Sequence, residues 1–430
     1  MALEKVKSLL NSRGFTKKLF VTVVILHFLC YWLLGMVVLV GNKVITLWAL
    51  DYDWNFFLDQ ARILLTNPAF LYANTGNIVE NLLNLPAYLL YISLWYIPVQ
   101  TLGLTALQSL FAYDFSNVLW NVADCFLIYK IIRSDKLHSM LGNSVLSNPY
   151  ILMSLYMGTS LFYFDYFVGQ DNALVGFFLL LGIIYYLNDK QHYTYFFWGI
   201  GWWFKPNVGI FILVLILSGP LKRFVKNAAF FALSQIPNIL IFMLYPILVH
   251  DFTHNILLRL GSQAIYSEPY NLIQFLYVPP FNLDLTTSYI IVYCSLLPLT
   301  AYAFMTCKKS LNLFDQMMIL ALLATNLIQG TPEQLIFSLG LYLVWISTSN
   351  PIYNDSNRYL KVMLGLPYLS GFLWLVFPYF AIMFFSGLIW LDLLIIFSKK
   401  PSNQDNVAHV STREPGSRLI HGEQVQFLPF

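Results

Sequence analysis

The stretch Asp51-Tyr52-Asp53-Trp54-Asn55-Phe56-Phe57-Leu58-Asp59-Gln60-Ala61-Arg62 gathers three carboxylates and a guanidinium just past the first long apolar run of the chain. Asp51 and Asp53 stand two residues apart. A carboxylate pair of this kind takes the proton from an attacking hydroxyl, as a general base, or binds a cation. Asp53, Phe57, Ala61 and Leu64 recur at three- and four-residue spacing, as on one face of a helix, whereas Asp59 and Arg62 fall on another. Asp53 would then begin the helix, where the backbone dipole favours and fixes a carboxylate. The plain alternative is a solvated acidic loop.

Lys205 is the second notable charge. It lies between Trp203-Phe204 and Pro206 inside a long apolar stretch. An ammonium in such surroundings is costly unless paired, and at interfacial depth its natural partner is the phosphate of a lipid, whose charge it would offset. The alternative is a lysine that snorkels from a helix end. Pro206 suits the first turn of a following helix, whose free N–H groups also face an anion. Further along, His250 and His254 have the i,i+4 spacing of metal ligands, but nothing beyond Asp251 completes the set, so no metal is assigned. Arg259 is a second candidate phosphate contact, against an ordinary loop arginine. Trp54 and Tyr72 are aromatic surfaces on which a sugar can stack.

The elements that position these groups follow from composition. Of 430 residues, 58% are hydrophobic and 10% charged, whereas soluble domains carry about 25% charged residues. Several apolar runs reach the ~20 residues that cross a membrane as a helix. They are continuous rather than alternating, which argues against a barrel. The expected fold is therefore an all-α polytopic membrane protein of about 11 to 13 helices, a single domain over residues 1–398 with a polar, disordered cytoplasmic tail at 399–430. A net charge of +3 without a polybasic stripe gives no case for nucleic acid. Cys30, Cys125, Cys294 and Cys307 lack CxxC spacing and are read as packing residues.

Lys and Arg placement sets the orientation. Lys5, Lys7, Arg13, Lys17 and Lys18 precede a first span at Leu19 to Val40, so the N-terminus is inside. A first external loop at 42–114 carries juxtamembrane helices, the proline-containing stretch Leu82 to Leu104 lying along or dipping into the interface. The next span runs from Phe115 to Ile132, back to Arg133 and Lys136. A second external loop occupies 250–286. The acidic residues concentrate in the first loop, which places an active site at the outer face.

From Asp51 to Pro86 the chain resembles the GT-C superfamily of integral membrane glycosyltransferases, in particular the polyprenol-phosphate-mannose-dependent mannosyltransferases and the first mannosyltransferase of GPI-anchor synthesis. Asn84-Leu85-Pro86 departs from the usual aromatic and double proline. Ser147-Asn148-Pro149, Gly169-Gln170-Asp171-Asn172 and the glycine-rich Gly199, Gly201, Lys205-Pro206 are similar to later family segments, in the family's order. The resemblance implies transfer of a hexose, with mannose the sugar, from a polyprenyl or dolichyl phosphate to a lipid or glycan acceptor. It implies inversion, with Asp53 as base. On this reading Asp51, Asp59 and Arg62 support the base, and Lys205, Arg259, Gln170, Asn172 and Tyr72 contact the donor phosphate or substrate. No cofactor is expected; the partners are membrane lipids, the lipid-linked donor, the acceptor and a small membrane subunit. The membrane is a prokaryotic plasma membrane or, second, that of the endoplasmic reticulum.

Two rivals belong to other classes. A transporter or flippase of a lipid-linked saccharide is expected to show inverted repeats and ionisable residues along a transmembrane path, and the sequence is read as lacking both. A non-catalytic subunit of a glycosylation complex would keep the fold and lose the base.

Overall fold

The computed structural model describes residues 8–40, 52–73, 84–138, 141, 145–159, 162, 166, 170–205, 208–218 and 221–261, together with parts of 281–294, 314–318 and 332–348. Asp51, most of the expected second external loop beyond Gly261 and the expected tail at 399–430 lie outside these residues. Among the described residues the structure is helical, with an isolated bridge between Leu141 and Thr348 and no strand.

In chain order the elements used below are α1 (Arg13–Val40), α2 (Tyr52–Thr66), α3 (Pro86–Leu102), α4 (Ala106–Ile132), α5 (Pro149–Gly158) and α6 (Asn172–Leu187). They are followed by α7 (Gln191–Phe204), α8 (Gly209–Ser218), α9 (Leu221–Ser234), α10 (Ile236–Leu244), α11 (Ile247–Gly261) and α12 (Pro332–Ser347). Two described stretches, Arg13–Met36 and Ala106–Ile132, are long and apolar enough to cross a membrane. α9 and α10 make a third if the pair, bent by 59° at Gln235, is one span.

α4 starts at Ala106 rather than Phe115. The reason is local: Thr105 accepts from the Gln108 backbone N–H while the Gln108 side chain accepts from the Thr105 N–H, a capping box that satisfies two free donors and nucleates the helix upstream of its most apolar part. α3 opens on Pro86 at its first turn and closes on Gly103 at φ 64°, the left-handed conformation glycine adopts without a Cβ penalty.

α6 lies at the centre, packed against α4, α7 and α12. Close approach is made by glycine: the indole of Trp198 on α7 lies where a Gly182 side chain would be, and its Nε1 donates to the Leu179 carbonyl at 3.0 Å. Gly199 does the same for α9, lying against the Ser234 hydroxyl. α1 turns His27 and Tyr31 inward and leaves Ile25, Leu26, Leu29 and Leu33 exposed. α2 packs on α3.

Candidate functional site

α2 has the amphipathic register expected of it. Trp54, Phe57, Ala61 and Leu64 are buried, and Asp59 and Arg62 are exposed on the opposite face, paired with each other at 3.2 Å. Arg62 thus serves a surface ion pair, which is worth little in water. The Asp53 backbone stands in the first turn of α2, four residues before Phe57. Phe57 meets Tyr88 of α3 at 5.1 Å between ring centroids, edge to face, and Tyr88 in turn meets Phe204 at 5.6 Å. A run of rings therefore connects the packed face of α2 with the end of α7, where Lys205 is the C-cap.

Lys205 does not snorkel alone. Its Nζ donates to Gln170 Oε1 at 2.6 Å, joining two sequence segments 35 residues apart. The Gln170 carbonyl accepts from Asn117 Nδ2 of α4 at 2.9 Å. Asp171, at the N-cap position of α6 but without a side-chain capping bond, is buried beside them. Burial pushes its carboxyl up to about 6 from the usual 3.8, against the opposing pull of the Lys205 ammonium. A buried carboxyl titrating near neutrality beside a cation is the environment of functional acids and bases. Asp171 also lies within electrostatic reach of Tyr91, whose ring packs on Phe204 at 5.3 Å. Asp171 Oδ2 and Asn117 Oδ1 are buried with no hydrogen-bond partner among the described residues. Asn172, in the first turn of α6, is buried at the same place.

Other expected residues are placed elsewhere. Tyr72 and Trp54 are packing residues rather than open stacking surfaces. The Tyr72 hydroxyl donates to the Asn84 carbonyl at 2.7 Å, and Trp54 Nε1 donates to Ser109 Oγ at 2.8 Å with its ring stacked on Tyr113. Burying an amphipathic aromatic is favourable once its polar tip finds such a partner. Arg259 belongs to α11, a helix rather than a loop. His250 and His254 stack at 6.3 Å on the same helix with Asp251 Oδ1 at 3.0 Å from His250 Nδ1, and no group of three metal-ligating side chains converges among the described residues. Cys30, Cys125 and Cys294 are free thiols, Cys125 buried; Cys307 lies outside the described residues.

α4 carries what the sequence reading passed over. Asp114, Asn117, Asn121 and Asp124, spaced three, four and three residues apart, are all 0% exposed and form one polar stripe along the helix. Asp124 Oδ2 accepts from the Tyr156 hydroxyl at 2.6 Å, and Asn121 Nδ2 donates to the Tyr166 hydroxyl at 2.6 Å. Tyr166 meets His27 Nε2 at 2.9 Å, and His27 Nδ1 lies 2.9 Å from the Met157 carbonyl. Because a carbonyl only accepts, Nδ1 carries the proton and Nε2 accepts from Tyr166. Ionisable groups are thus present inside a helix long enough to cross a membrane, which corrects the reading that they are lacking. The signal was the 3-4-3 spacing, hidden by averaging hydropathy over the run.

No protein-family model matches the chain, and no match is found among curated proteins or solved structures.

Proposed function

We propose that the chain is a polytopic, GT-C-like glycosyltransferase of about 11 to 13 membrane helices. It moves a hexose, mannose by resemblance, from a polyprenyl or dolichyl phosphate to a lipid or glycan acceptor at the extracytoplasmic face. The membrane is a prokaryotic plasma membrane in preference to the endoplasmic reticulum. The observation that carries this reading is the meeting of Lys205 with Gln170 and Asp171. Two segments singled out separately in the sequence form one half-buried centre of an ammonium, an amide and a buried carboxyl, and the ring contacts Phe57–Tyr88–Phe204 lead from it to the helix that bears Asp53.

The chemistry assigned to the centre is a single displacement. The acceptor hydroxyl loses its proton to the Asp53 carboxylate as its oxygen bonds to the anomeric carbon. The bond from that carbon to the phosphate oxygen breaks, and the phosphate leaves with the electron pair while Lys205 offsets its charge. One base without a second carboxylate as nucleophile accords with inversion. The test is transfer of radiolabelled hexose from polyprenyl and dolichyl phosphate donors to a panel of lipid and glycan acceptors by purified protein in nanodiscs. Donor binding without transfer to any acceptor would sink the enzyme and favour a non-catalytic subunit.

A second reading, a transporter or flippase of a lipid-linked saccharide, is favoured by one observation, the buried carboxylates of the α4 stripe. Movement of a fluorescent lipid-linked saccharide between leaflets of proteoliposomes, without sugar transfer, would select it.

A further inference from the structure

The end of α7 opposite Lys205 carries cations of its own. α6 turns into α7 through Asp189, at φ 57°, and Lys190 stands at the N-cap of α7. Asp189 is already engaged, because Lys136, just beyond α4, pairs with it. Lys130 and Arg133 at the same end lie over the rings of Phe126 and Tyr129, at 4.6 and 5.3 Å from their centroids. Lys190, Arg223 and Lys226 are exposed, and among the described residues they form no ion pair and no such ring contact.

Packing brings these three cations to one place. α9 lies along α7, where the Tyr195 hydroxyl bonds with Asn227 and His192 meets Phe230 at 4.6 Å between ring centroids. Lys190 and Lys226 both act on His192, whose protonation is disfavoured first by its own partial burial and then by Lys226 and Lys190. Arg223 is within electrostatic reach of Tyr186 in the last turn of α6. Like charges gathered in this way repel one another, and an anion bound between them removes that cost. Val225, Ala229, Leu233, Ile236, Leu240 and Leu244, three or four residues apart along α9 and α10, are exposed and apolar. A helix with basic side chains at its start and exposed apolar ones beyond suits the level where an anionic headgroup adjoins hydrocarbon.

We infer that Lys190, Arg223 and Lys226 form a site for the headgroup of an anionic two-chain phospholipid, whose hydrocarbon lies on the exposed face of α9 and α10. By Lys and Arg placement this is a lipid of the inner leaflet. α7 rises roughly 20 Å between Lys190 and Lys205, so the site is separate from the centre at Lys205 and from any substrate held there. Charge complementarity sets the headgroup: three cations call for net negative charge, and the Arg223 guanidinium matches two phosphate oxygens at once. The adjoining apolar face makes the ligand a lipid rather than free phosphate. The inference rests on the chain being a membrane protein and not on sugar transfer.

Full-length protein in detergent is titrated with phosphatidylcholine, phosphatidylglycerol and phosphatidic acid, and bound lipid is counted by native mass spectrometry. One phosphatidylglycerol or phosphatidic acid molecule should be held about tenfold or more tightly than phosphatidylcholine. Each basic side chain near an anionic headgroup is worth about fivefold in binding, so Arg223→Gln with Lys226→Gln should lower that affinity roughly twentyfold, and Lys190→Gln alone about fivefold. All three side chains are exposed, so these variants should melt within a few degrees of wild type. Lys130→Gln with Arg133→Gln removes two cations that rings of their own helix already engage, and it should bind lipid like wild type. Equal retention of the three lipids would overturn the site, as would equal losses in the two double variants, which would reduce it to diffuse attraction. Displacement of the lipid by millimolar inorganic phosphate at constant ionic strength would also overturn it, the ligand then being phosphate alone. A protein that stays soluble without detergent or lipid would overturn the membrane reading itself.

Discussion

Lys205 Nζ donates to Gln170 Oε1 at 2.6 Å, so the one charged residue at the end of α7 is held by an uncharged partner, with the Asp171 carboxylate next along the chain. An amide fixes the ammonium in place without cancelling its charge. Ionisation of the neighbouring Asp171 carboxyl offsets that charge, and a hydrogen bond to a charged group is roughly twice as strong as a neutral one.

Lys205→Met removes the charge and keeps most of the apolar stem. The KM for a lipid-phosphate donor, or its Kd where transfer is not followed, should rise by about tenfold or more, since one tenfold step is only ~1.4 kcal/mol. Thermal melting in detergent should shift by no more than a few degrees. A variant that uses donor normally would separate Lys205 from the phosphate.

Asp171 predicts a pH dependence. Its carboxyl titrates at about 6 in the fold against 3.8 in the unfolded chain, so the folded state holds its proton more tightly. Stability from this group is fully present below about pH 3.8 and is lost as pH rises through about 6. The loss is on the order of 3 kcal/mol for a shift of this size. Asp171→Asn cannot ionise, so its melting temperature relative to wild type should climb between pH 4 and pH 6 to 7. A constant offset over that range would show that Asp171 does not titrate there.

Within the α4 stripe, the Tyr156 hydroxyl donates to Asp124 Oδ2 at 2.6 Å, while Asp124 Oδ1 has no hydrogen-bond partner among the described residues. Tyr156→Phe would leave the carboxyl buried and unbonded and should cost about 1 to 3 kcal/mol, seen as a lowered melting temperature. Asp124→Asn keeps an acceptor for Tyr156 and should cost less. The double variant should cost less than the two changes summed, because both act on one bond. Equal costs that simply add would mean that the bond contributes nothing.

The parts of this site that could be read in the sequence are those governed by period. The buried face of Phe57, Ala61 and Leu64 and the opposite pair Asp59–Arg62 follow from 3.6 residues per turn, and both are observed. The capping box that starts α4 was also legible in Thr105 and Gln108, but a hydropathy reading looks for the apolar centre of a span and misses its capped beginning. Burial of Trp54 and Tyr72 was not legible, because an aromatic with a polar tip is equally at home in a binding surface or a core; Ser109 and Asn84 decide it, and they are partners across the fold. Asp171 lay inside a segment already noted, and what marks it out there, a carboxyl that burial pushes up against the pull of Lys205, depends on tertiary surroundings that the sequence does not display.

Asp53 is in the first turn of α2, and Phe57 and Ala61 follow at four and eight residues on the face that packs against α3. On that packed face Phe57 meets Tyr88, and Tyr88 meets Phe204, the neighbour of Lys205. Asp53→Asn keeps size and hydrogen bonding but removes basicity, and loss of a general base costs ~10²- to 10⁴-fold in rate. In single-turnover assays with lipid-phosphate donor, turnover should fall by that amount while donor affinity stays within a few-fold, because the proposed phosphate contact is Lys205 and not Asp53. Asp51→Asn, outside the helical register, should cost less. Should a cation bridge the two carboxylates, both changes would be equally harmful and a chelator would inhibit. The pH profile adds a separate readout, since the wild-type rate should fall as the base is protonated and the residual rate of Asp53→Asn should lose that limb. An Asp53→Asn protein that melts like wild type and turns over at the wild-type rate would remove Asp53 from the chemistry and shift the search for the base to Asp171.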